Sequence, residues 1–181
     1  MRRCTMIVLW MLAFAAGMPA WAGLPETPHP RQLTVANGLP SNRINGIAED
    51  QHGYLWIATS DGLARYDGIA FRIWRVEQGL RDNFVWSVHV DARNRVWIGT
   101  RQAGVAMLDA SRSRFRYFDR ANTSVIASDD VWSIASTKDG AIWFGTADAG
   151  LYRIAADEEV TRFMPRADDA RSLPDASIGQ V

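Results

Sequence analysis

Tyr54-Leu-Trp-Ile-Ala-Thr-Ser-Asp-Gly-Leu63 is said three times in this chain. It returns as Arg95-Val-Trp-Ile-Gly-Thr-Arg-Gln-Ala-Gly-Val105 and as Ala141-Ile-Trp-Phe-Gly-Thr-Ala-Asp-Ala-Gly-Leu151. The anchors Trp56, Trp97 and Trp143 stand 41 and 46 residues apart. Self-similarity at such a period is the mark of a propeller or a solenoid, in which one unit cannot bury its own apolar face and must stack on its neighbours. It speaks against a compact enzyme built round a single catalytic constellation.

Outward from each anchor the chain reads as four short strands broken by turn residues. In the first copy these are Ile44 to Glu49, Tyr54 to Thr59, Leu63 to Tyr66 and Ile69 to Arg75, with turns at Asp50-Gln-His-Gly53, Ser60-Asp61-Gly62 and Asp67-Gly68. The second gives Val85 to Val90, Val96 to Thr100, Val105 to Leu108 and Arg114 to Phe118; the third gives Val131 to Ser136, Ile142 to Thr146, Leu151 to Ile154 and Val160 to Phe163. Ile47, Val88 and Ile134 each precede their Trp by nine residues. Length differences fall in turns and connections, where they cost little. No run with helical period is long enough to be a helix. The predicted fold is therefore all-β: a partial β-propeller of three four-stranded antiparallel blades plus the start of a fourth. Blade 1 spans about 38–78, blade 2 about 79–124, blade 3 about 125–172, and a stub covers 173–181.

The two ends sharpen this frame. Leu33-Thr-Val35 precedes Gly38-Leu39 as the end of the fourth strand precedes Gly79-Leu80, so it reads as an orphan fourth strand that completes a last blade and closes a ring. Leu173-Pro-Asp175 matches Leu39-Pro-Ser41, and Ile178 follows Leu173 as Ile44 follows Leu39. Val181 then falls in the middle of an innermost strand, and the expectation is that this chain is an N-terminal fragment of a longer protein.

The chain of 181 residues has 48% apolar and 22% charged residues and a formal net charge of zero. That is an ordinary globular composition, and it advertises no nucleic-acid surface. Arg2-Arg3, the apolar run Met6 to Met18 and Ala20-Trp21-Ala22 have the three-part grammar of a secretory signal peptide over residues 1–22. The apolar run is shorter than the ~20 residues of a membrane span. Cleavage would remove Arg2, Arg3 and Cys4, leaving 18 basic and 20 acidic residues and no cysteine. Such a chain holds itself by packing rather than disulfides. Pro25, Pro28 and Pro30 mark residues 23–32 as an extended linker.

The string from Gly38 to Gly68, with Gly-Leu-Pro-x-Asn, the Asp-x-x-Gly turn, Leu-Trp-Ile-x-Thr, Gly-Leu and Arg-Tyr-Asp-Gly, closely resembles the two-component regulator propeller repeat. The later copies keep Trp-x-Gly-Thr but depart at Arg81-Asp82 and lack Arg-Tyr-Asp-Gly. The resemblance covers residues 33–181. It implies seven-bladed rings, often two in tandem, in the periplasmic sensor region of a bacterial receptor, followed by a small β-sandwich, one transmembrane helix and a histidine kinase or diguanylate cyclase. It implies partners as well: a small molecule or glycan as ligand, further blades of the same polypeptide, membrane attachment only through C-terminal parts, and compatibility with a receptor dimer. The expected location is exported and periplasmic.

Residues repeated in every copy read as architecture. Trp56, Trp97 and Trp143 pack between neighbouring blades, and Gly62, Gly104 and Gly150 supply the positive φ of a turn. Thr59, Thr100 and Thr146 bond locally to turn backbone. Residues that change between copies are the better candidates for binding. Asn45, Trp86 and Trp132 are equivalent and sit near the innermost strand; Asn42, Arg43, Asn83, Asp129 and Asp130 precede the inner strands and gather on one face of the ring. His29, His52 and His89 share no metal spacing, neighbouring acids such as Asp129-Asp130 point to opposite faces on a strand, and no phosphate-cradling glycine loop is present. No catalytic residue, metal or cofactor is expected. The leading function is a non-enzymatic ligand sensor; the alternatives are an envelope protein–protein scaffold and a secreted propeller enzyme such as a lyase.

Overall fold

The structure, a computed structural model, describes residues 30–181; the signal-peptide reading at 1–22 and all but the end of the 23–32 linker lie outside the described residues. The first sheet contains β1 (Ile44–Glu49), β2 (Leu55–Thr59), β3 (Gly62–Tyr66) and β4 (Phe71–Trp74). The second contains β5 (Val85–Val90), β6 (Val96–Thr100), β7 (Val105–Leu108) and β8 (Phe115–Phe118); the third contains β9 (Val131–Ser136), β10 (Ile142–Thr146), β11 (Leu151–Ile154) and β12 (Val160–Phe163). Each sheet is an antiparallel meander in which chain order is also spatial order. Short turns permit only this, since neighbours in sequence pair at once. Among the described residues there is no α-helix, and residues 33–181 form one compact unit.

The core lies between sheets. β6 is buried at all five positions because a sheet covers each of its faces. Trp56, Leu63 and Trp74 of the first sheet pack against Val85 and Ile98 of the second and Leu80 of the connection before it; Trp97, Val105 and Phe118 pack against Phe144 and Tyr152 of the third and Ile126 of the connection before it. Within these layers Trp56 stacks on Trp74 at 5.0 Å between centroids and Trp97 on Phe118 at 5.8 Å.

Each anchor is also held by its own hairpin turn. Asp50 Oδ1 accepts the backbone N–H groups of His52 and Tyr54, and Oδ2 accepts Trp56 Nε1–H at 2.9 Å. Asp91 does the same for Arg93, Arg95 and Trp97. In the third copy Thr137 stands in the aspartate's place, and its Oγ1 accepts Trp143 Nε1–H at 3.3 Å. This aspartate-to-indole bond, six residues apart in sequence, buries a polar indole without leaving its donor unpaired.

Adjacent sheets are stitched by backbone. The N–H groups of Gly62, Gly104 and Gly150 donate to the carbonyls of Asn83, Asp129 and Ala176, at 2.7, 3.0 and 2.7 Å. Gly104 has φ +68, and a Cβ there would lie 2.4 Å from the Phe118 carbonyl oxygen. The glycine thus serves close approach as well as turn conformation. The threonines close the same corner: Thr59, Thr100 and Thr146 are buried, and each Oγ1 donates to the carbonyl of the glycine that follows.

Two terminal expectations change. Leu33-Thr-Val35 pairs with no strand among the described residues: Thr34 has extended backbone, but Val35–Asn37 is a 3-10 turn closed by Gly38 at φ 100, as Val76–Gln78 is closed by Gly79 at φ 102. The β-forming side chains here have no neighbouring strand to pair with, and the backbone bonds locally instead: the Thr34 N–H donates to Asn37 Oδ1 and the Val35 N–H to Asn42 Oδ1. Leu33 still packs on Leu39, Ile57 and Tyr66, as Trp74 packs on the second sheet. The stub at 173–181 forms no strand. It nevertheless docks on the third sheet through Gly150 N–H to the Ala176 carbonyl and Ile178 N–H to the Thr146 carbonyl at 2.9 Å.

Candidate ligand-binding face

Every innermost strand carries the same irregularity. In β1 the register passes from Ile44↔Thr59 to Gly46↔Ala58; in β5 from Val85↔Thr100 to Ser87↔Gly99; in β9 from Val131↔Thr146 to Ser133↔Gly145. One residue on the inner strand is extra each time, and these are Asn45, Trp86 and Trp132. A β-bulge leaves its extra residue out of the ladder and re-aims its side chain, a device found often beside binding sites. Three positions that vary in chemistry are therefore displayed by three identical backbone distortions.

Their side chains meet through their neighbours. Trp86 Nε1–H and Trp132 Nε1–H both donate to Asp130 Oδ1, at 2.9 and 3.1 Å. The two indoles meet edge to face at 6.4 Å, and Phe84 tilts onto Trp86 at 4.5 Å. The Arg43 guanidinium lies 5.4 Å from the Phe84 ring centre and 5.9 Å from that of Trp86. Arg101 approaches Phe84 from the turn after β6, at 5.6 Å. Asn45 Nδ2–H donates to the Val85 carbonyl at 2.7 Å, which ties the first bulge to the second inner strand. Trp132 is 38% exposed and Trp86 half-buried. The arrangement offers an indole face, a guanidinium and a carboxylate on one surface. It has no general acid–base pair aimed at a common point.

Other predicted site residues are committed to backbone. Asn42 Oδ1 accepts the Val35 N–H, Asn83 Oδ1 the Val76 N–H and Asp129 Oδ1 the Arg120 N–H, each at 2.9 Å. The structure brings together Arg43, Asn45, Trp86, Asp130 and Trp132, and it leaves Asn42, Asn83 and Asp129 as ties for the preceding connection. Sequence reasoning missed Phe84 and Arg101. Phe84 had a signal, since it is the equivalent of Arg43 and Asp130 and changes with them. Among the described residues no group of three metal-ligating side chains occurs. His89 faces Ser136 across the inner strands, Nε2 to Oγ 2.9 Å, and burial holds its imidazole below the ordinary pKa.

Consecutive four-stranded meanders that bury their core between sheets define the class as a β-propeller segment. The model of the family described as two component regulator propeller matches this chain three times, at residues 38–61, 79–102 and 126–148. A histidine kinase of Formosa agariphila, P4, is 38% identical over 45 residues, which are 25% of this chain and 3% of that protein. Among solved structures, the extracellular domain of a hybrid two-component system from B. thetaiotaomicron is similar with a TM-score of 0.71 at 24% identity, covering 81% of this chain and 21% of that one. The extracellular domain of a one-component system from the same organism gives 0.66 at 25% identity, covering 80% and 19%. A catalytically inactive virginiamycin B lyase from Staphylococcus aureus with quinupristin gives 0.57 at 19% identity, over 74% and 45%, a likeness of fold. The chain thus spans about a fifth of the extracellular domains it matches and a far smaller share of the kinase.

Proposed function

We propose that this chain is a ligand-sensing propeller segment in the extracytoplasmic region of a bacterial transmembrane signalling receptor, and that it does no chemistry itself. The signal output, by a histidine kinase or diguanylate cyclase, belongs to other parts of such a receptor. The observation that carries this reading is the three equivalent bulges, which present Asn45, Trp86 and Trp132 with Asp130 and Arg43 on a frame otherwise repeated from blade to blade. A frame that repeats supports packing, whereas variation at displayed positions supports recognition. The repeat family and the extracellular domains of similar fold support the setting. An indole face beside a carboxylate suits a small molecule or glycan with an apolar ring face and hydroxyl groups.

The test is a titration of the receptor's extracytoplasmic region with a panel of glycan fragments, followed by intrinsic tryptophan fluorescence. A saturable change is expected for at least one, with affinity reduced about tenfold or more in Trp86→Ala and Trp132→Ala. Binding that both variants retain unchanged would remove the site from this face. A stoichiometric protein partner with no fluorescence response to any fragment would replace the sensor reading by a scaffold.

A further inference from the structure

A small pocket lies away from the bulge face, where the β1–β2 turn of the first blade meets the β7–β8 turn of the second. It encloses about 190 Å³ and is lined by Asp50, His52, Tyr54, Arg65, Ala110 and Arg112. The sequence places these residues up to 62 positions apart, and the blade interface brings them together.

Its lining carries two guanidinium groups and one carboxylate, that of Asp50, with the Asp109 carboxylate also acting on Arg112. Arg112 reaches from the second blade into the first, with its side chain 8% exposed, and its guanidinium lies 4.9 Å from the Trp56 ring centre. It donates to Asp50 Oδ2 at 3.2 Å and to the carbonyls of Asn94 and Asp109. Asp50 is 1% exposed and already takes four hydrogen bonds, two on each oxygen, so it has little capacity left for another cation. Arg65 stands 4.5 Å from the Tyr54 ring centre and 5.9 Å from that of Trp56. Its Nε is buried and has no hydrogen-bond partner among the described residues. Asp67 feels the charge of Arg65, but its Oδ1 is turned to the N–H groups of Ile69 and Ala70. Arg72, which pairs with Arg65 across β3 and β4, adds a further positive charge and lies over Trp74. The imidazole of His52, its side chain 65% exposed, also lines the pocket.

The third blade shows what this strand position does when it is balanced. Arg153 of β11, the equivalent of Arg65, has its guanidinium on Asp139 at 2.9 Å. In the second blade Met107 stands there, and no charge needs a partner. Only the first blade presents a guanidinium at this position with a buried unpaired N–H beside a second guanidinium. A buried donor without a partner costs about 1–3 kcal/mol, and guanidinium forks match planar or tetrahedral oxyanions in two-point contacts.

We propose that this pocket binds a compact oxyanion, a carboxylate, sulfate or phosphate group, with Arg65 as its principal contact, Arg112 completing the positive wall and His52 at its edge. Its volume is below the ~300 Å³ of a typical small-molecule site, so it takes a charged group rather than a whole ligand. The site is separate from the bulge face and does not depend on it.

The test uses the full chain, titrated at constant ionic strength with sodium sulfate, sodium phosphate and sodium acetate against sodium chloride. Binding is read by Trp and Tyr fluorescence and by amide shifts. A saturable change confined to residues 50–56, 65 and 110–112 is expected, together with a rise in melting temperature. Arg65→Met, the residue the second blade carries at this position, is expected to keep its melting temperature in chloride within a few degrees of the parent's and to weaken the anion response about tenfold or more; Arg65→Lys should retain part of it. Arg153→Met is expected to leave the response intact. Preference among the three anions separates a carboxylate source from a sulfate or phosphate one. Equal responses in the parent chain and in Arg65→Met would overturn the proposal, as would a linear rise without saturation. If Arg65→Met fails to fold, the residue-resolved shifts of the parent chain decide alone.

Discussion

Trp97 and Trp143 occupy the same place in two copies of one motif, and the structure treats them differently. Trp97 is 2% exposed, lies between the second and third sheets, and donates to a carboxylate that three further N–H groups also hold. Trp143 is half-buried, stacks on Phe163 of its own sheet at 5.4 Å, and donates to a hydroxyl. The stack on the fourth strand is common to both, and so is an arginine near the ring, Arg95 in one and Arg153 in the other. What differs is the neighbouring sheet and the aspartate. A blade motif is thus half of an interface, and its contribution to stability depends on what is placed against it.

The largest expected effect follows directly. Trp97→Ala should destabilise the chain by about 3–5 kcal/mol, the usual cost of emptying a buried aromatic site. Trp143→Ala should cost roughly 1–2 kcal/mol, since less apolar area leaves contact. Chemical denaturation of the two variants measures both. Equal losses would mean that the tryptophans act within their own sheets and that the comparison above is wrong.

A smaller effect separates the two turns by pH. Burial raises the pKa of Asp91, but the hydrogen bonds from Trp97 and Arg95 outweigh it, and the group sits below the ordinary carboxylate value. Asp50 is lowered in the same way, burial being outweighed by Trp56, two backbone N–H groups and Arg112. A group whose folded pKa is depressed contributes stability above its unfolded value, about 4, and that contribution is lost as pH falls through the folded value. The chain should therefore weaken on acidification below about pH 4. Asp91→Asn should lose about 1–3 kcal/mol at neutral pH and show a shallower acid limb. Melting curves from pH 7 down to about 3 report both. An unchanged acid limb would show that the carboxylate is not what the second blade relies on.

The smallest effect is a transplant. Thr137→Asp gives the third turn the aspartate of the other two. A gain of up to about 1 kcal/mol is expected from one charge-assisted bond to Trp143 Nε1 in a partly exposed site, with a steeper acid limb than the parent. Asp139 tempers it, because the Thr137 hydroxyl and Arg153 hold that neighbouring carboxyl down to about 2 and the new charge removes the first of these. A loss of stability at neutral pH would show that the third turn is arranged round its threonine.

Much of the frame was legible. Ile44–Glu49, Val85–Val90 and Val131–Ser136 end as strands where the turn residues Asp50, Asp91 and Thr137 interrupt the apolar pattern, because local propensity and tertiary pairing agree there. In Leu33-Thr-Val35 only Val35 departs from the expected strand: Thr34 keeps extended backbone, while Val35 opens the 3-10 turn that Gly38 closes. The bulges could not be read. An extra residue at Asn45, Trp86 or Trp132 leaves the spacing between copies intact, since all three copies carry it. Asn42, Asn83 and Asp129 looked like surface polar groups, and only the turn before them shows that they accept a backbone N–H.

The sequence alone determined the period, the strand order within each blade and the set of positions that vary, all of which depend on side-chain pattern and on turns of a few residues. Only the tertiary structure decided which tryptophan is enclosed, that two indoles share one oxygen of Asp130, and that Arg112 crosses to Asp50 while Arg65 Nε is left without a partner among the described residues. Those contacts join residues more than forty positions apart, or depend on the angle at which one sheet lies on the next, and no local preference of the chain specifies that angle.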